Sequence, residues 1–424
     1  MPTVVFIEAA AMPGGSSESL LQLLQALNRR RWTPHVLTFA RTNVLSAFAA
    51  AGATTECLDI ARPNDLPRGR VTEAARRNPL TQQLQRSGPG RRVYHGVGFT
   101  LKFLRHSVPQ ARHIAARLRA LDADLVHCNG RVGFDHIGIL AAALAGRPCV
   151  VHVRDWDALG PVERLLLHAV DHLIYISKAI AADHRRQGVA PERGTVILNA
   201  LDLAAYRARA AGAESVRREF GWDEDVWLVG LVGRVEAWKG QRIFLQALSQ
   251  LRADLPQLRA LIVGASSPQS SGYWDELQQM TRDLDLTDIV RFTGYRADTP
   301  RVVGALDVLA HCSTTPEPFG RVLIEAGALA KPVVAANAGG VPEIVVDGVT
   351  GLLVGPGDPT ALATALRGLA ADPNRAAALG QAARCHVGEH FSNGPHALAV
   401  QAVYERVLEA RATARRQRST EVPS

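Results

Sequence analysis

Short apolar runs alternate along the first half of the chain with stretches whose apolar residues recur at helical spacing. A short apolar run bounded by turn residues is typical of a buried strand, and the stretches between such runs predict amphipathic helices. Strands that alternate with helices indicate a parallel sheet with helices on both faces. The predicted strands of this series lie at 4–8, 35–39, 54–59, 125–127, 149–153 and 173–176.

A second series of the same kind follows a polar, charged passage at 207–225, and we place the linker between the two series near 200–225. Because 424 residues exceed one ordinary α/β core, we expect two doubly wound, Rossmann-like domains. The predicted strands of the second series lie at 227–232, 260–263, 290–292, 308–311, 333–335 and 352–354. The predicted bounds are 1–208 for the first domain with an irregular insertion at about 61–100, 209–394 for the second domain, 395–412 for a last helix that returns to the first domain, and 413–424 for a disordered tail.

Composition places the chain among soluble globular proteins, with 47% apolar and 21% charged residues. The opening MPTVVFIEAA has no cationic leader, so it predicts a first strand and not a signal peptide. No stretch approaches the roughly 20 apolar residues that span a bilayer. The five cysteines are scattered without a C-x-x-C pair, which favours reduced thiols in the cytoplasm. We see no metal-ligand spacing and expect neither a metal nor a cofactor.

The charge of the chain is uneven. Residues 61–119 contain thirteen Lys and Arg and two acidic residues, a formal charge of +11, whereas the whole chain carries +8 and the remainder about −3. This excess favours an anionic partner, either lipid headgroups or a phosphorylated acceptor, with a solvated face as the alternative. Ile114 and Leu118 beside the arginines predict either a membrane-facing amphipathic helix or a helix packed on its own sheet. Nucleic acid is disfavoured because the stretch has few aromatic residues and no recognisable binding motif.

The segment HCSTTPEPFGRVLIEAGAL at 311–329 carries the richest set of chemical groups. A predicted strand ends at its start and a helix begins near Gly320, at the edge of a parallel sheet where ligands bind. Glycine lets backbone approach a ligand, and the first helical N–H groups attract phosphate or sugar oxygens. Glu317 precedes those donors, and Glu325 lies among apolar residues, where a ribose diol would hydrogen-bond its carboxylate. The alternatives are a dipole-stabilised acid for Glu317 and a buried ion pair for Glu325.

Two cations follow the first predicted strand of the second series, in VGLVGRVEAWKG at 229–240. Arg234 and Lys239 lie between this strand and the next predicted helix, a position that suits a diphosphate. Together they can neutralise the charge that develops on a leaving nucleotide without a metal ion. Solvated surface cations without a ligand are the alternative.

Two weaker features follow strands of the first series. The run MPGGSSESL places Gly14 and Gly15 in a tight strand-to-helix turn whose N–H groups suit phosphate or sugar oxygens, although a purely structural turn explains it equally well. The run VVHVRDW ends a later strand with His152, Arg154 and Asp155. His152 is a candidate contact for a sugar hydroxyl or a satisfied core histidine, and the other two are candidates for an ion pair with each other.

In this order the features resemble retaining glycosyltransferase family 4, which has the two-domain GT-B fold. The likeness includes the Gly-Gly turn, the run D-L-V-H, His152, the run ILNALD at 197–202, GRVEAWKG, the E-x7-E element and AGGVPEIVVDGVTGLLV at 338–354. It covers nearly the whole chain and is strongest from 229 to 354. The sequence departs from the family at Ala200, where glycine is usual, which leaves open what the turn at 199–202 contacts.

The resemblance implies an α/β, GT-B architecture of two Rossmann-like, doubly wound domains with an intervening cleft. Arg234 and Lys239 would hold the donor diphosphate, Glu317 the donor sugar and Glu325 the ribose, with His152 beside the reacting carbon. The implied catalytic residues are His152, Glu317, Arg234 and Lys239. The implied donor-binding residues are Gly14, Gly15, Arg234, Lys239, Gly294, Tyr295, Arg296, Glu317, Phe319, Gly320, Arg321 and Glu325. Asn129, Arg154 and Asp155 would lie on the acceptor side.

The implied reaction moves a sugar, with retention, from a nucleotide-diphosphate sugar to a hydroxyl of a saccharide or lipid-linked acceptor, as in polysaccharide, glycolipid or secondary-metabolite glycoside synthesis. Positioning and diphosphate stabilisation would carry the catalysis. The alternatives are a nucleotide-sugar 2-epimerase of the same fold and a non-catalytic protein that binds sugar nucleotides. A Rossmann dehydrogenase is disfavoured because G-x-G-x-x-G is missing. We expect a cytoplasmic protein, peripheral at the inner face of the membrane.

Overall fold

The computed structural model describes residues 1–9, 14–41, 43–60, 103–223, 225–266 and 271–420. The predicted insertion at about 61–100 lies outside these residues. The chain divides into two compact units. The first comprises Met1–Tyr175, Ala181–Ile197 and Ala397–Ser424, and the second comprises Ile176–Ile180 and Leu198–His396.

The first unit contains, within the described ranges, a seven-stranded parallel sheet in the order β3-β2-β1-β4-β5-β6-β7. The strands read as continuous apolar runs because helices cover a parallel sheet on both faces. The strand order reverses between β1 and β4, which makes that position the switch point of a doubly wound sheet. The strands are β1 (Thr3–Glu8), β2 (Thr33–Thr38), β3 (Thr54–Cys57), β4 (Leu125–Cys128), β5 (Cys149–Val153), β6 (His172–Tyr175) and β7 (Gly194–Val196).

The second unit repeats this plan with a six-stranded parallel sheet, counted over the described residues, in the order β10-β9-β8-β11-β12-β13. Its switch point lies between β8 and β11, which pair directly through Val308 and Val229. The two sheets confirm the α/β class and the two Rossmann-like, doubly wound domains that the sequence predicts. The strands are β8 (Trp227–Val232), β9 (Leu258–Val263), β10 (Val290–Gly294), β11 (Val308–His311), β12 (Val333–Ala336) and β13 (Leu352–Val354).

Helices connect successive strands within both units, except between β12 and β13, where the described chain forms a 3-10 turn. Short 3-10 turns at Pro191–Arg193, Ala237–Lys239 and Val341–Glu343 and a π-helical turn at Phe103–Ser107 complete the regular structure of the described chain. The α-helices are α1 (Gly15–Ala26), α2 (Val44–Ala50), α3 (Val108–Ala120), α4 (His136–Ala145), α5 (Pro161–Leu167), α6 (Lys178–Arg186), α7 (Leu203–Arg209), α8 (Ser215–Glu219), α9 (Gln241–Leu251), α10 (Ser271–Asp283), α11 (Thr299–Ala305), α12 (Arg321–Ala328), α13 (Pro359–Ala371), α14 (Pro373–His390) and α15 (Asn393–Thr420).

The end of the chain belongs to the core of the first unit. Val400, Val403 and Tyr404 of α15 are buried in one cluster with residues of β1, β4, β5 and α1. The Tyr404 hydroxyl lies 2.7 Å from Nδ1 of His127 on β4, which satisfies a buried polar group inside this cluster. The helix continues to Thr420, past the point where the sequence predicts a disordered tail, because the Ala- and Arg-rich end has high helix propensity.

The polar passage near 207–225 is not a linker. Asp202 caps α7 by accepting a hydrogen bond from the Ala205 N–H at 3.0 Å. Arg217 of α8 pairs with both carboxylate oxygens of Asp307 at 2.9 Å, a bidentate contact. The main segment of the second unit begins at Leu198, earlier than the predicted boundary at 208, and charged side chains fix this passage to its fold.

The basic helix α3 buries its apolar face within the first unit. Ile114 and Leu118 are fully buried, and the helix packs against α4. Arg117 forms an ion pair with Glu56 at 2.7 Å. Of the two predicted alternatives for these apolar residues, packing within the domain is therefore the correct one, and this packing removes their side chains from water.

Candidate functional site

The carboxyl ends of β8 and β11 bring two predicted site residues together. Lys239 ends the short turn Ala237–Lys239 that follows β8, and Glu317 lies in the loop between β11 and α12. These strands are neighbours at the switch point of the second sheet. Open α/β sheets bind ligands in the crevice at such a point, so the fold itself marks this corner as a candidate site.

The Glu317 carboxylate is the centre of this corner. Lys239 Nζ lies 2.9 Å from its Oε1 and 2.8 Å from its Oε2. Ser313 Oγ donates to Oε2 at 2.7 Å, and His311 Nε2 lies 3.2 Å from the same oxygen. The network therefore joins three side chains from two loops to a single carboxylate.

Glu317 is buried, with 7% of its surface exposed, and its partners favour the charged form of its carboxyl. Burial raises the pKa of its carboxyl, but the hydrogen bond from His311 and the positive charge of Lys239 oppose that effect and hold the pKa well below its usual range. A buried carboxylate that stays charged is a strong hydrogen-bond acceptor for hydroxyl groups.

Backbone contacts fix the position of Glu317. Gly340 N–H donates to the Glu317 carbonyl at 2.8 Å. Gly339 has a φ of 66°, and a Cβ atom at this position would lie 2.1 Å from the same carbonyl oxygen. A side chain at Gly339 would therefore displace the loop that carries the carboxylate. Ser177 Oγ adds a hydrogen bond to the carbonyl of Pro318 at 2.8 Å.

Lys239 is held by a second set of close contacts. Its ammonium lies 4.0 Å from the centre of the Trp238 ring, a cation–π contact. The carbonyl of Trp238 accepts a hydrogen bond from Thr314 N–H at 2.8 Å, which ties this turn to the loop after β11. Gly240 has a φ of 73°, and a Cβ there would lie 1.9 Å from the Cys312 carbonyl oxygen. The close approach of the two loops therefore requires glycine.

Arg234 lies on the same turn but has a different partner. Its side chain is 66% exposed and forms an ion pair with Glu236 at 2.9 Å. Trp238 Nε1 donates to the other oxygen of Glu236 at 2.6 Å. The structure thus brings Lys239 and Glu317 together, whereas Arg234 stands in contact with Glu236 at the surface.

Helix α12 holds the second predicted glutamate. Glu325 is half-buried and lies 3.4 Å from Arg321, one turn earlier, so the predicted ion-pair alternative for Glu325 is present. Gly320 caps the helix with a φ of 99°, which its lack of a side chain allows. The Phe319 ring is buried against Phe391, with centroids 6.1 Å apart, so this side chain is part of the core.

The segment 294–296, which the resemblance assigns to donor binding, lies at the end of β10. Gly294 has a φ of 69°, and its carbonyl accepts a hydrogen bond from Gly264 N–H at 2.9 Å. Tyr295 is 72% exposed. The Arg296 guanidinium pairs with Asp298 at 2.7 Å and with Glu219 at 2.8 Å, and these hydrogen bonds raise its pKa. The side chain of Arg296 is thus occupied within the protein.

In the first unit, Gly15 begins α1 directly after the extended residue Gly14. The Gly14 N–H donates to Ser17 Oγ at 3.3 Å, and its carbonyl accepts from Glu18 N–H at 3.0 Å. These bonds are those of an ordinary helix N-terminus. The turn therefore agrees with the purely structural alternative that the sequence leaves open. The preceding residues 10–13 lie outside the described chain.

His152 on β5 is fully buried in the first unit. Its ring centroid lies 5.4 Å from that of His127, which itself contacts Tyr404. A fully buried imidazole inside an aromatic cluster agrees with the core-histidine alternative at least as well as with a sugar contact.

The predicted acceptor-side residues lie at the switch point of the first sheet. Asn129, just after β4, donates through Nδ2 to Glu8 Oε2 at 2.5 Å. Arg154, just after β5 and buried, donates through Nε to Asn129 Oδ1 at 2.9 Å. Asp155 is exposed and accepts a hydrogen bond from the Trp156 N–H at 2.8 Å. Three strand ends of one sheet edge thus share a chain of polar contacts.

Three of these groups were not predicted from the sequence. Glu8 ends the first apolar run, and an acid at the carboxyl end of the strand beside a switch point is the signal that could have found it. His311 is the last residue of β11, and Ser313 follows it by two residues. Glu317 lies six residues after His311. Polar residues that directly follow a buried strand are the corresponding signal.

The turn at 199–202 leads into helix α7. Asp202 acts as the cap of α7, and Leu201 N–H donates to the Phe391 carbonyl at 2.9 Å. Over the described residues, no three His, Cys, Asp or Glu side chains are grouped so that they could hold a metal ion. Within the same part of the chain, no helix has both the length and the apolar character needed to cross a bilayer.

Two family models match the chain. The model described as "Glycosyl transferases group 1" matches residues 213–386, and the model described as "Glycosyltransferase Family 4" matches residues 13–205. The boundary between the two matches falls between 205 and 213, close to the point where the second unit begins. Together the matches take in every described strand of both sheets except β1 (Thr3–Glu8).

The curated proteins to which the chain is similar include an alpha-maltose-1-phosphate synthase and a D-inositol 3-phosphate glycosyltransferase. The chain is 31% identical over 328 residues to an alpha-maltose-1-phosphate synthase of Mycolicibacterium smegmatis, a match that covers 68% of this chain and 84% of the relative. It is 36% identical over 220 residues to a D-inositol 3-phosphate glycosyltransferase of Corynebacterium kroppenstedtii, covering 51% of this chain and 48% of the relative. The chain thus spans about half the length of that relative.

A solved structure extends the likeness to nearly the whole chain. HepE of Anabaena in complex with UDP-glucose matches with a TM-score of 0.76 at 26% identity, covering 95% of this chain and 99% of that chain. A sucrose-phosphate synthase of Thermosynechococcus elongatus matches with a TM-score of 0.74 at 22% identity, covering 97% of this chain and 100% of the other, and this match shows the common fold.

Proposed function

Because the chain belongs to the glycosyl transferases group 1 and to glycosyltransferase family 4, we propose that it transfers a sugar from a nucleotide-diphosphate sugar to an acceptor hydroxyl. The observation that carries the proposal is the Lys239–Glu317 pair at the switch point of the second sheet. An ammonium suits a diphosphate, and a carboxylate beside it suits sugar hydroxyls. HepE of Anabaena, which binds UDP-glucose, supports a nucleotide-sugar donor.

The second unit would bind the donor. Lys239 would move its ammonium from Glu317 to the diphosphate, and the exposed Arg234 would exchange Glu236 for the same group. Glu317 would then accept hydrogen bonds from hydroxyls of the donor sugar, and Glu325 from the ribose. The backbone N–H groups of 319–321 at the start of α12 and of 294–296 after β10 would complete the donor site.

The proposed reaction retains the configuration at the transferred carbon. The acceptor oxygen forms a bond to that carbon on the face from which the diphosphate leaves, while the bond from carbon to diphosphate oxygen breaks. The acceptor proton passes to the departing diphosphate oxygen, and a nucleoside diphosphate is released. Lys239 and Arg234 would offset the negative charge that builds up on the leaving group, which would remove the need for a metal ion.

The first unit would supply the acceptor-side residues, with Asn129, Arg154 and Asp155 as candidates. Relatives named after a phosphorylated polyol and a phosphorylated sugar support a phosphorylated acceptor. A buried arginine at a sheet edge suits such a group. A lipid-linked acceptor and peripheral attachment to an anionic membrane belong to the same proposal and rest on the basic excess of 61–119. A saccharide acceptor belongs to it as well, and a cytoplasmic location rests on the scattered cysteines. The roles predicted for Gly14, Gly15 and His152 remain predictions.

Donor hydrolysis without an acceptor tests the proposal. We expect the purified protein to release a nucleoside diphosphate slowly from one of a set of UDP-, GDP- and ADP-sugars, with the rate unchanged by EDTA. Proton NMR should detect a first-formed sugar of the same anomeric configuration as the donor. Loss of turnover in EDTA with recovery in Mg²⁺ would contradict metal independence, and an inverted first product would contradict retention.

A further inference from the structure

We propose that His311 and Ser313 are positioning residues that anchor one oxygen of Glu317, so that the other oxygen can receive the donor sugar when Lys239 turns to the diphosphate. The inference rests on the proposed function and adds two residues that no sequence feature had assigned. It starts from an asymmetry between the two carboxylate oxygens of Glu317.

The two oxygens have different surroundings. Oε2 receives Ser313 Oγ at 2.7 Å, His311 Nε2 at 3.2 Å and Lys239 Nζ at 2.8 Å. For Oε1, the contact found among the described residues is Lys239 Nζ at 2.9 Å. When the ammonium moves to a diphosphate, Oε2 keeps two partners and Oε1 becomes available. Oε1 is therefore the oxygen that faces the donor sugar.

The anchoring groups are themselves fixed by burial. Ser313 is 1% exposed and His311 5% exposed, so neither side chain can exchange its partner for water. His311 Nδ1 is buried and has no hydrogen-bond partner in the described part of the chain. The tautomer that carries its proton on Nε2 leaves Nδ1 as a bare lone pair and allows Nε2 to donate to Glu317. Ser313 Oγ lies 3.3 Å from His311 Nε2, so the two anchoring side chains also contact each other.

Lys239 and the two anchoring residues therefore have separate roles in the donor site. Lys239 acts on the diphosphate, whereas His311 and Ser313 act on the sugar through Glu317. Loss of either anchor lets the carboxylate turn, so binding of the sugar part weakens while binding of the bare diphosphate stays. A defect that merely loosened the fold would weaken the two ligands together.

The test compares a nucleotide sugar with its nucleoside diphosphate. UDP-glucose and UDP are used first, and the GDP or ADP pair if the donor screen selects that base. We expect Ser313→Ala to raise the KM for the nucleotide sugar about tenfold, the effect of one hydrogen bond to a charged group, with the inhibition constant of the nucleoside diphosphate within about threefold of wild type. His311→Leu should act in the same way.

Conservative variants provide the rescue. Ser313→Thr keeps the hydroxyl and His311→Gln keeps an N–H donor, so both should restore the KM to within about threefold of wild type. Thr281→Val is the matched control, because it removes an equally buried hydroxyl of the second unit that donates to the Leu277 carbonyl at 2.8 Å. This control should leave both constants unchanged, and thermal melts should show that every variant is folded.

The outcomes separate this inference from the proposed function. An active wild-type protein in which Ser313→Ala and His311→Leu leave the KM unchanged would overturn the inference alone. It would also be overturned if both constants rose by the same factor. A wild-type protein that used no nucleotide sugar would overturn the proposed function, and the inference with it.

Discussion

A carboxylate that is 7% exposed, as Glu317 is, keeps its charge only if partners compensate for the loss of water. Lys239, Ser313 and His311 supply that compensation within 3.2 Å. Replacing the pair by apolar residues would cost a typical fold little, since buried ion pairs contribute weakly to net stability. Its presence at a sheet edge is therefore better explained by ligand binding than by folding.

The first prediction concerns Lys239 and Glu325. Lys239→Ala removes the ammonium proposed to hold the diphosphate, and Glu325→Ala removes the acceptor proposed for the ribose. Each should lower kcat/KM at least about tenfold, the effect of losing roughly 1.4 kcal/mol of transition-state stabilisation. Arg242→Ala is the control, because it removes an exposed cation of the same unit that pairs with Glu276 on the surface. Steady-state kinetics on all three variants gives the answer, and unchanged turnover in both site variants would remove the donor site proposed here.

The sequence predicts the two charged residues of this network, Lys239 and Glu317, but not the two polar side chains that also contact Glu317. Lys239 and Glu317 could be predicted because each follows a recognisable strand and belongs to a spacing shared with a known family. His311 and Ser313 could not, because a continuous apolar run such as β11 does not tell which polar residue at its end turns towards which loop. The contact between loops 78 residues apart depends on the packing of β8 beside β11.

At the scale of elements, the apolar runs of the sequence predict the positions of most strands closely, but they do not predict every element between the strands. Each predicted run coincides with a strand to within a few residues. β7, a three-residue edge strand, was missed because Gly194–Val196 is too short to show a pattern. The helices α7 and α8 lie in the passage that the sequence predicts as a polar linker, because each is short and buries a single apolar residue, so that no apolar stripe marks it.

The second prediction concerns the turn that carries Gly339. Gly339→Ala should destabilise the protein by about 3 kcal/mol, about 1 from the left-handed backbone and the rest from the contact with the Glu317 carbonyl. Urea denaturation measures this difference. Because the same contact places the Glu317 loop, nucleotide-sugar binding by the folded variant should fall as well.

Gly348 offers a matched control for that variant. Its φ of 72° is close to that of Gly339, but a Cβ atom there would meet no atom within 4 Å. Gly348→Ala should therefore cost only about 1 kcal/mol, the backbone part alone. Equal losses of stability in the two variants would show that the close approach to Glu317 does not matter.

At the scale of the whole molecule, the positive charge is concentrated in one stretch of the chain. Residues 61–119 carry +11, and in the described part of this stretch the apolar face of α3 is packed inside the first unit. The apolar face of α3 is therefore not available for insertion into a membrane, and we expect the arginines of this stretch to attract anionic lipid electrostatically. Such attraction weakens as salt screens it.

The third prediction follows from the electrostatic origin of this attraction to anionic lipid. The protein should sediment with liposomes that contain anionic lipid at low salt, and binding should fade as salt rises. Changing Arg76, Arg77, Arg91 and Arg92 to Ser should weaken it, at about 1 kcal/mol for each well-placed cation. These four positions lie outside the described residues, so the prediction rests on sequence. Serine at four exposed arginines of the second unit, Arg209, Arg242, Arg252 and Arg282, is the control. Absence of binding at low salt would favour a soluble acceptor.

Native mass spectrometry tests the central claim most directly. The purified protein is mixed with UDP-, GDP- and ADP-sugars at equal concentration, beside a Lys239→Ala, Glu317→Gln double variant. The account predicts that the wild-type chain binds one nucleotide sugar and slowly converts it to the nucleoside diphosphate, whereas the double variant binds at least about tenfold more weakly and converts none. Binding without conversion would indicate a protein that merely binds sugar nucleotides. A wild-type chain that bound no nucleotide sugar, or a double variant that bound it equally well, would contradict the account.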